Sequence, residues 1–182
     1  MNFYAIQVKT RGEEKFLNRV KKNTEFQQLL DSLEAEVVWP RRQLTIRKQG
    51  IEKTALSPIF PGYVFLSART LSTELFWKIR RTQGFYRFLK NNQEIEPLGG
   101  KDREILLHFL SFGEIVTKSD AYFDENQRIV IVQGPMKGLE GSIEKVDRRR
   151  KRAKIRLSLY EDSFLVDFGF DIIKAVKNSE RD

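Results

Sequence analysis

The sequence predicts an α+β protein in which an antiparallel sheet, with helices mainly on one side, precedes a small all-β barrel. Three observations support this. Strand-like apolar runs alternate with helix-like amphipathic stretches over residues 1–112. Residues 113–127 show no consistent hydrophobic period and four acidic residues, and are predicted to be a linker. Residues 128–182 contain short strand patterns separated by glycine and proline, which is typical of a barrel.

The chain opens with a strand at residues 3–9 and a helix predicted over residues 13–33. Thr10 can cap this helix because its hydroxyl can accept a free backbone N–H. Glu13 and Glu14 suit the positive end of the helix dipole.

A basic hairpin follows, with a strand at residues 36–48 kinked at Pro40 and a return strand at residues 51–56. The continuous apolar run at residues 59–66 predicts a central strand buried on both sides. The hairpin carries five cationic residues: Arg41, Arg42, Arg47, Lys48 and Lys53.

Three further elements complete the first part of the chain. Apolar spacing predicts helices at residues 73–80 and 102–112, and a strand at residues 85–89.

A strand, turn, strand pattern dominates the last part of the chain. Residues 129–132 and 142–146 are strand-like, and three glycines with Pro135 lie between them. The basic run at residues 147–152 comes next, and residues 153–160 alternate with period two, as in a half-buried strand. A basic hairpin tip is therefore expected in solvent, where an anionic partner can reach it.

The formal net charge of +8 is concentrated at the two ends of the chain. Residues 1–112 hold 19 basic and 12 acidic residues, residues 113–127 hold 1 and 4, and residues 128–182 hold 13 and 9. Basic charge steers a protein to polyanions such as nucleic acid, although solubility alone also explains it.

Several classes of function are disfavoured. Without cysteine there is no disulfide and no cysteine metal site. The sequence shows no signal peptide and no run of about 20 apolar residues, so a soluble, cytoplasmic protein without membrane contact is expected. His108 is the only histidine, and neither a catalytic triad nor a phosphate loop is evident. We expect no enzyme activity, no cofactor and no metal.

The glycine-rich turn resembles the KOW motif of the NusG family of transcription elongation factors, and the first 112 residues resemble the NGN domain of that family. The matching residues are Gly134-Pro135, Gly138 to Gly141 and Val146-Asp147, together with Phe3-Tyr4, Phe60 to Phe65 and Ile79 to Phe85. The resemblance implies an NGN domain at residues 1–112, an acidic linker at 113–127 and an SH3-like KOW domain at 128–182. A ribosome-associated KOW protein that binds RNA is an alternative.

The resemblance implies that the NGN domain binds the β′ clamp helices of RNA polymerase through an aromatic patch. The residues placed in that patch are Tyr4, Tyr63, Phe65 and Phe88. Aromatic side chains are effective anchors because they bury large areas at low entropic cost. The alternative is that these rings belong to the core.

The resemblance also places cationic residues against nucleic acid. Lys9, Arg11, Arg80 and Arg81 would face the non-template DNA strand. The barrel would hold phosphates of structured nascent RNA through Lys137, Arg148, Arg149, Arg150, Lys151, Arg152 and Lys154. Ordinary solvated surface charge is the alternative in each case.

The barrel departs from the pattern of the housekeeping factor. Tyr160-Glu161-Asp162 stands where that factor has Phe-Gly-Arg, so its contacts with ribosomal protein or Rho are in doubt. With the dense arginine run, this favours a specialised paralogue of the LoaP or RfaH type, expected to be a monomer. A housekeeping elongation factor is the alternative.

Overall fold

The computed structural model describes residues 1–90 and 93–174, and its contacts divide the chain into two compact units. The N-terminal unit comprises residues 1–41 and 58–114, and the C-terminal unit comprises residues 42–57 and the chain from residue 115 onward. The last eight residues of the predicted KOW domain, 175–182, lie outside the described residues.

Strands and α-helices alternate in the first two-thirds of the chain, and strands predominate after that. In chain order the elements are β1 (Asn2–Val8), α1 (Glu13–Lys22), α2 (Thr24–Ser32), β2 (Glu36–Val38), β3 (Arg41–Lys48), β4 (Ile51–Pro58), β5 (Tyr63–Ala68), α3 (Thr73–Arg81), β6 (Phe85–Phe88), α4 (Gly100–Leu110), β7 (Ile115–Val116), β8 (Ser119–Phe123), β9 (Ile129–Gln133), a 3₁₀ turn (Glu140–Ser142), β10 (Ile143–Asp147), β11 (Arg152–Leu159) and β12 (Asp162–Ile172).

The N-terminal unit is built on an antiparallel sheet with the strand order β2-β5-β1-β6. Every residue of the central strand β5 is buried, as the apolar run predicted. One face of the sheet packs under α1, α2 and α3. On the other face, the ring of Phe60 contacts Phe65 of β5 and Phe109 of α4, at centroid distances of 5.5 and 6.1 Å. The predicted α+β class is confirmed.

The single helix predicted at residues 13–33 is wrong, because the structure has two helices separated at Asn23. The side chain of Asn23 accepts a hydrogen bond from the N–H of Phe26 at 2.9 Å and so caps α2. The cap predicted at Thr10 is also wrong, since α1 begins after Gly12 without a side-chain cap.

The strand predicted at residues 59–66 begins only at Tyr63, because Phe60 to Gly62 form a tight turn. Gly62 has a φ of 86°, in the left-handed region that favours glycine, and Tyr63 N–H donates to the carbonyl of Phe60 at 3.1 Å. The buried carboxylate of Glu13 accepts a hydrogen bond from Gly62 N–H at 2.6 Å. This glutamate therefore holds the turn, in addition to lying in the first turn of α1.

The C-terminal unit contains a five-stranded sheet with the order β10-β11-β12-β8-β9. β11 and β12 pair antiparallel along the whole of β11, and β8 joins β12 as a parallel neighbour. The predicted linker at residues 113–127 is wrong, because β7 and β8 lie inside it. Ser119 and Ala121 are fully buried there. The alternation of buried and less buried residues in β8 is short and lies among acidic residues, so the sequence did not predict this strand.

Residues 42–57, nearly all of the hairpin β3–β4, belong to the C-terminal unit, although they precede residues 58–114 of the N-terminal unit. Together with β7 it forms a three-stranded sheet of order β4-β3-β7. The contacts therefore do not follow the predicted boundary at residue 112, because a segment from the first part of the chain joins the strands that come last.

The predicted glycine-rich turn between β9 and β10 is present and closely packed. Gly134 has a φ of 98°, and a Cβ there would lie 2.7 Å from the Cα of Ser119. The hydroxyl of Ser119 accepts the N–H of the fully buried Met136 at 2.9 Å. Glycine at this position lets the turn lie against β8.

Candidate nucleic-acid interface

A groove of about 640 Å³ lies in the C-terminal unit between strand β3 and the turn that joins β10 to β11. We call it the basic groove. Leu44, Thr45, Ile46 and Gly169 form its uncharged lining, and Glu52 is its one carboxylate among the described residues. Its cationic lining residues are Arg47, Lys118, Arg149, Arg150, Lys151 and Arg152. This excess of positive charge makes the groove suitable for a polyanion.

The turn at residues 148–151, which we call the basic turn, has a fixed backbone. It connects Asp147 of β10 to its paired residue Arg152 of β11. The Asp147 carboxylate accepts the N–H of Arg150 at 2.9 Å, and Lys151 has a φ of 51°. Phe170 N–H donates to the carbonyl of Lys151 at 3.0 Å, which ties the turn to β12.

Two arginines hold β3 against the five-stranded sheet. Arg42 Nε donates to the carbonyl of Asp167, and Arg152 Nη2 donates to the carbonyl of Thr45 at 2.7 Å. Burial lowers the pKa of Arg42 to about 10, although the charge of Asp167 acts in the opposite direction. Arg42 therefore stays cationic at neutral pH, and its guanidinium lies 5.9 Å from the centre of the Phe168 ring.

The side chain of Arg148 contacts other residues of the C-terminal unit and is not among the residues that line the groove. Its guanidinium lies 3.8 Å from the centre of the Phe123 ring. Its Nη1 and Nη2 donate to the side-chain and backbone oxygens of Gln127, each at 2.6 Å. These contacts brace the basic turn and occupy one N–H of Nη1 and one N–H of Nη2.

Arg149 is the most available cation of the predicted set. It is exposed, and within residues 1–90 and 93–174 it makes no hydrogen bond or ion pair through its side chain. Arg150 and Lys151 are exposed, and their ion pairs in the described part of the chain are long, at 3.8 Å to Asp147 and 4.0 Å to Asp171. Exposed pairs of this kind are weak, so a phosphate can compete with them.

Lys137 and Lys154, also predicted to bind nucleic acid, lie outside the basic groove. Lys137 Nζ donates to the carbonyl of Ile131 at 2.9 Å and lies 3.7 Å from Glu140. Lys154 Nζ lies 3.6 Å from Asp167, beside a smaller cavity of about 130 Å³. The structure thus brings four of the seven predicted barrel residues, Arg149 to Arg152, into one groove.

The predicted cations of the N-terminal unit are exposed, and two of them flank an aromatic residue that sequence reasoning missed. Lys9 and Arg11 lie in the segment after β1. The guanidiniums of Arg80 and Arg81 lie 5.1 and 5.7 Å from the ring of Trp77, which is 44% exposed. Trp77 lies off the apolar stripe of α3, and this position was the signal that could have identified it as a surface residue.

The prediction that Tyr4, Tyr63, Phe65 and Phe88 form one surface patch is wrong. All four are buried, with at most 6% of each residue exposed. Strand pairing also separates them: Tyr4 and Phe88 belong to the core under α1 to α3, whereas Phe65 contacts Phe60 on the opposite face. Tyr63 lies two positions from Phe65 in the same strand and so shares its face. As they stand, these rings stabilise the sheet from both sides.

The described part of the chain shows neither a metal centre nor a membrane-spanning helix. Residues 1–90 and 93–174 contain no cluster of three or more histidine, aspartate or glutamate side chains placed to hold a metal ion. None of the helices in these ranges is long and apolar enough to cross a membrane.

A mixed sheet unit followed by a strand-rich unit with a basic turn is the architecture predicted for an NGN–KOW protein. A family model described as "Transcription termination factor nusG" matches residues 1–107. The chain belongs to the NusG family.

Relatives are similar over most of their length, and a solved structure shares the fold. The chain is 24% identical to "Transcription termination/antitermination protein NusG" of Bacillus subtilis (strain 168) over 172 residues, covering 93% of this chain and 95% of the relative. It is 25% identical over 174 residues to the protein of the same name from Campylobacter jejuni, with 96% and 97% covered. The structure described as "Domain interaction in Thermotoga maritima NusG" superposes with a TM-score of 0.60 at 20% identity, covering 92% of this chain and 93% of that one, and supports the fold.

Proposed function

We propose that this chain is a cytoplasmic NusG-type factor that binds RNA polymerase and promotes processive elongation or antitermination, while its basic groove binds nucleic acid, most simply nascent RNA. The observation that carries the nucleic-acid part is the basic groove, with six cationic residues and one carboxylate among the described residues that line it. The family supports the transcriptional role. In this proposal the protein acts as a monomer without a cofactor.

The groove chemistry suits a phosphate backbone. Arginine presents paired donors that match phosphate oxygens, and each phosphate neutralised releases counterions. Binding is therefore expected to weaken steeply as salt concentration rises.

We assign contact with the β′ clamp helices of polymerase to the N-terminal unit, because that unit supplies most of residues 1–107, which the family model covers. The surface of this unit that would contact polymerase is supported from inside by four buried rings, those of Tyr4, Tyr63, Phe65 and Phe88. Exposed cations at Lys9, Arg11, Arg80 and Arg81 are proposed to meet the non-template DNA strand. Retention of purified core polymerase by the immobilised full-length chain tests this assignment, and no retention at low salt contradicts it.

The specialised role, of the LoaP or RfaH type, is proposed over a housekeeping one. Glu161 and Asp162 are exposed at the turn between β11 and β12, where an arginine loop would serve the housekeeping factor. Transcription past a terminator, with and without the protein, tests this on templates with different leader sequences. Equal read-through on every template favours the housekeeping factor.

A gel-shift series at increasing salt tests the nucleic-acid role. Arg149→Gln removes the most available groove cation, and Arg69→Gln removes an equal charge from an exposed residue of the N-terminal unit. We expect the first change to weaken RNA binding and to lower the salt slope by about 1, and the second to leave both nearly unchanged. Equal affinities for both variants and the unaltered chain would exclude the proposed role of the groove.

A further inference from the structure

We infer that the hairpin β3–β4 is the second wall of the nucleic-acid site, and that Arg47 and Lys118 contact the same duplex backbone as the basic turn. This inference rests on the proposed function and extends it to residues that the sequence analysis did not place in the site. The ligand class is a double-stranded segment of nucleic acid, held through its phosphates.

The first argument is the position of the charges. Arg47 comes from β3 and Lys118 directly precedes β8, yet both line the groove with Arg149 to Arg152. Arg47 is exposed, and its hydrogen bond from Nε to the carbonyl of Gly50 is long at 3.4 Å. Most of its donors therefore remain available for a ligand.

The second argument is that the hairpin wall is fixed before any ligand arrives. Arg152 donates to the carbonyl of Thr45, and Arg42 donates to the carbonyl of Asp167, so each side of the groove is bonded to the other. A site that is already ordered loses less conformational entropy on binding. Two bonded walls can therefore act as one recognition surface.

The third argument concerns the floor of the groove. A Cβ on Gly169 would lie 3.0 Å from the Cγ of Lys118, so glycine leaves space for the lysine stem to pass close to β12. Lys118 Nζ pairs with Asp171 at 3.2 Å, and both side chains are partly exposed. The lysine is thus positioned at the groove by packing and by an ion pair that a phosphate can replace.

The lining residues indicate how the ligand is held. No phenylalanine, tyrosine or tryptophan lines the groove within the described part of the chain. Proteins that bind unpaired strands stack bases on aromatic side chains, whereas duplex RNA is recognised through shape and backbone. Cations without aromatic residues therefore favour a duplex over an unpaired strand.

The test measures the affinity of the full-length chain for a fluorescent RNA stem-loop and for an unpaired RNA of equal length, at two salt concentrations. The variants are Arg47→Gln, Lys118→Gln and Arg149→Gln, with Arg69→Gln as the matched control. We expect each groove variant to bind the stem-loop about threefold to tenfold more weakly and to lower the salt slope by about 1. The unpaired RNA is expected to bind at least about tenfold more weakly than the stem-loop.

A misfolded variant is expected to bind RNA more weakly, so a variant that binds more tightly separates the effect of charge from the effect of misfolding. Glu52→Gln removes the one carboxylate among the described lining residues, and we expect it to tighten binding about threefold. If Arg149→Gln weakens binding while Arg47→Gln, Lys118→Gln and Glu52→Gln leave it unchanged, the hairpin is not a wall of the site and the proposed function stands. If all variants bind like the unaltered chain, the proposed nucleic-acid role of the basic groove fails as well. Equal binding of stem-loop and unpaired RNA overturns the assignment to a duplex.

Discussion

Arg148 and Arg149 are identical neighbours in the sequence, and the structure gives them different tasks. Arg148 stacks on Phe123 and donates twice to Gln127, whereas Arg149 is exposed and makes no side-chain bond within the described residues. The basic run is therefore not a uniform patch of charge. Part of it builds the turn, and part of it is available for a ligand.

Substitution of the two arginines should separate these tasks. Arg148→Ala removes a cation–π contact and two hydrogen bonds, so we expect the free energy of unfolding to fall by about 1 kcal/mol. Arg149→Ala should leave unfolding within about 0.5 kcal/mol of the unaltered chain and weaken RNA binding instead. Thermal denaturation and a binding titration measure the two effects. Equal loss of stability in both variants would contradict the division.

The pair formed by Glu144 and Arg156 gives an expectation for pH. The hydrogen bond from Arg156 lowers the pKa of Glu144 from its usual 4.5, and slight burial only partly opposes this. Since the folded-state pKa is depressed, the pair contributes stability above the unfolded-state pKa and loses it as pH falls through the folded value. An NMR titration of the Glu144 carboxyl should show its pKa rising in Arg156→Gln. An unchanged titration curve would show that the pair does not form in solution.

At the scale of elements, the turn from Phe60 to Gly62 depends on a residue far away in the sequence. The buried carboxylate of Glu13 accepts Gly62 N–H at 2.6 Å and connects the start of α1 to the start of β5. The turn therefore fixes both the helix and the central strand.

Glu13→Ala should leave Gly62 N–H buried without its acceptor. Such a group costs about 1–3 kcal/mol, so we expect a loss of that size in the free energy of unfolding. Glu14→Ala is the matched control, because Glu14 is exposed in the same helical turn. Chemical denaturation compares the two. A loss no larger than that of the control would mean that water satisfies Gly62 in place of the carboxylate.

Elements with a strong local pattern were predictable from the sequence. The apolar run of β5, the stripe of α3 and the glycines between β9 and β10 each encode their structure within a few residues. The break at Asn23 was missed, because a single capping residue in a helical pattern changes the hydrophobic period very little. β8 was missed because its burial depends on pairing with β12 and β9, which are distant in sequence.

The candidate site was predictable only in part, for the same reason. The basic run at residues 147–152 predicted the turn. No sequence feature near Arg47 or Lys118 indicated that these two residues would lie beside that turn. The period of a strand places Tyr63 and Phe65 on one face, but it does not relate them to Tyr4 or Phe88. That relation follows from strand register, which is set by the whole sheet.

At the scale of the whole molecule, the C-terminal unit needs residues that precede its predicted start. β8 pairs with both β12 and β9, and its Phe123 ring lies 6.1 Å from the buried ring of Phe170. We expect a fragment of residues 128–182 to show poor amide dispersion by NMR, because it lacks β8. A fragment of residues 113–182 should be better ordered. Equal dispersion and equal melting temperatures would contradict the importance of β8.

The basic groove can form only after both of its walls have been synthesised. Thr45 and Arg152, which join the walls, are 107 positions apart in the chain. During synthesis, β3 leaves the ribosome long before the turn that completes the groove. An unfinished chain can therefore fold parts of its sheet early, but the basic groove is complete only after its last lining residue, Gly169, has been made.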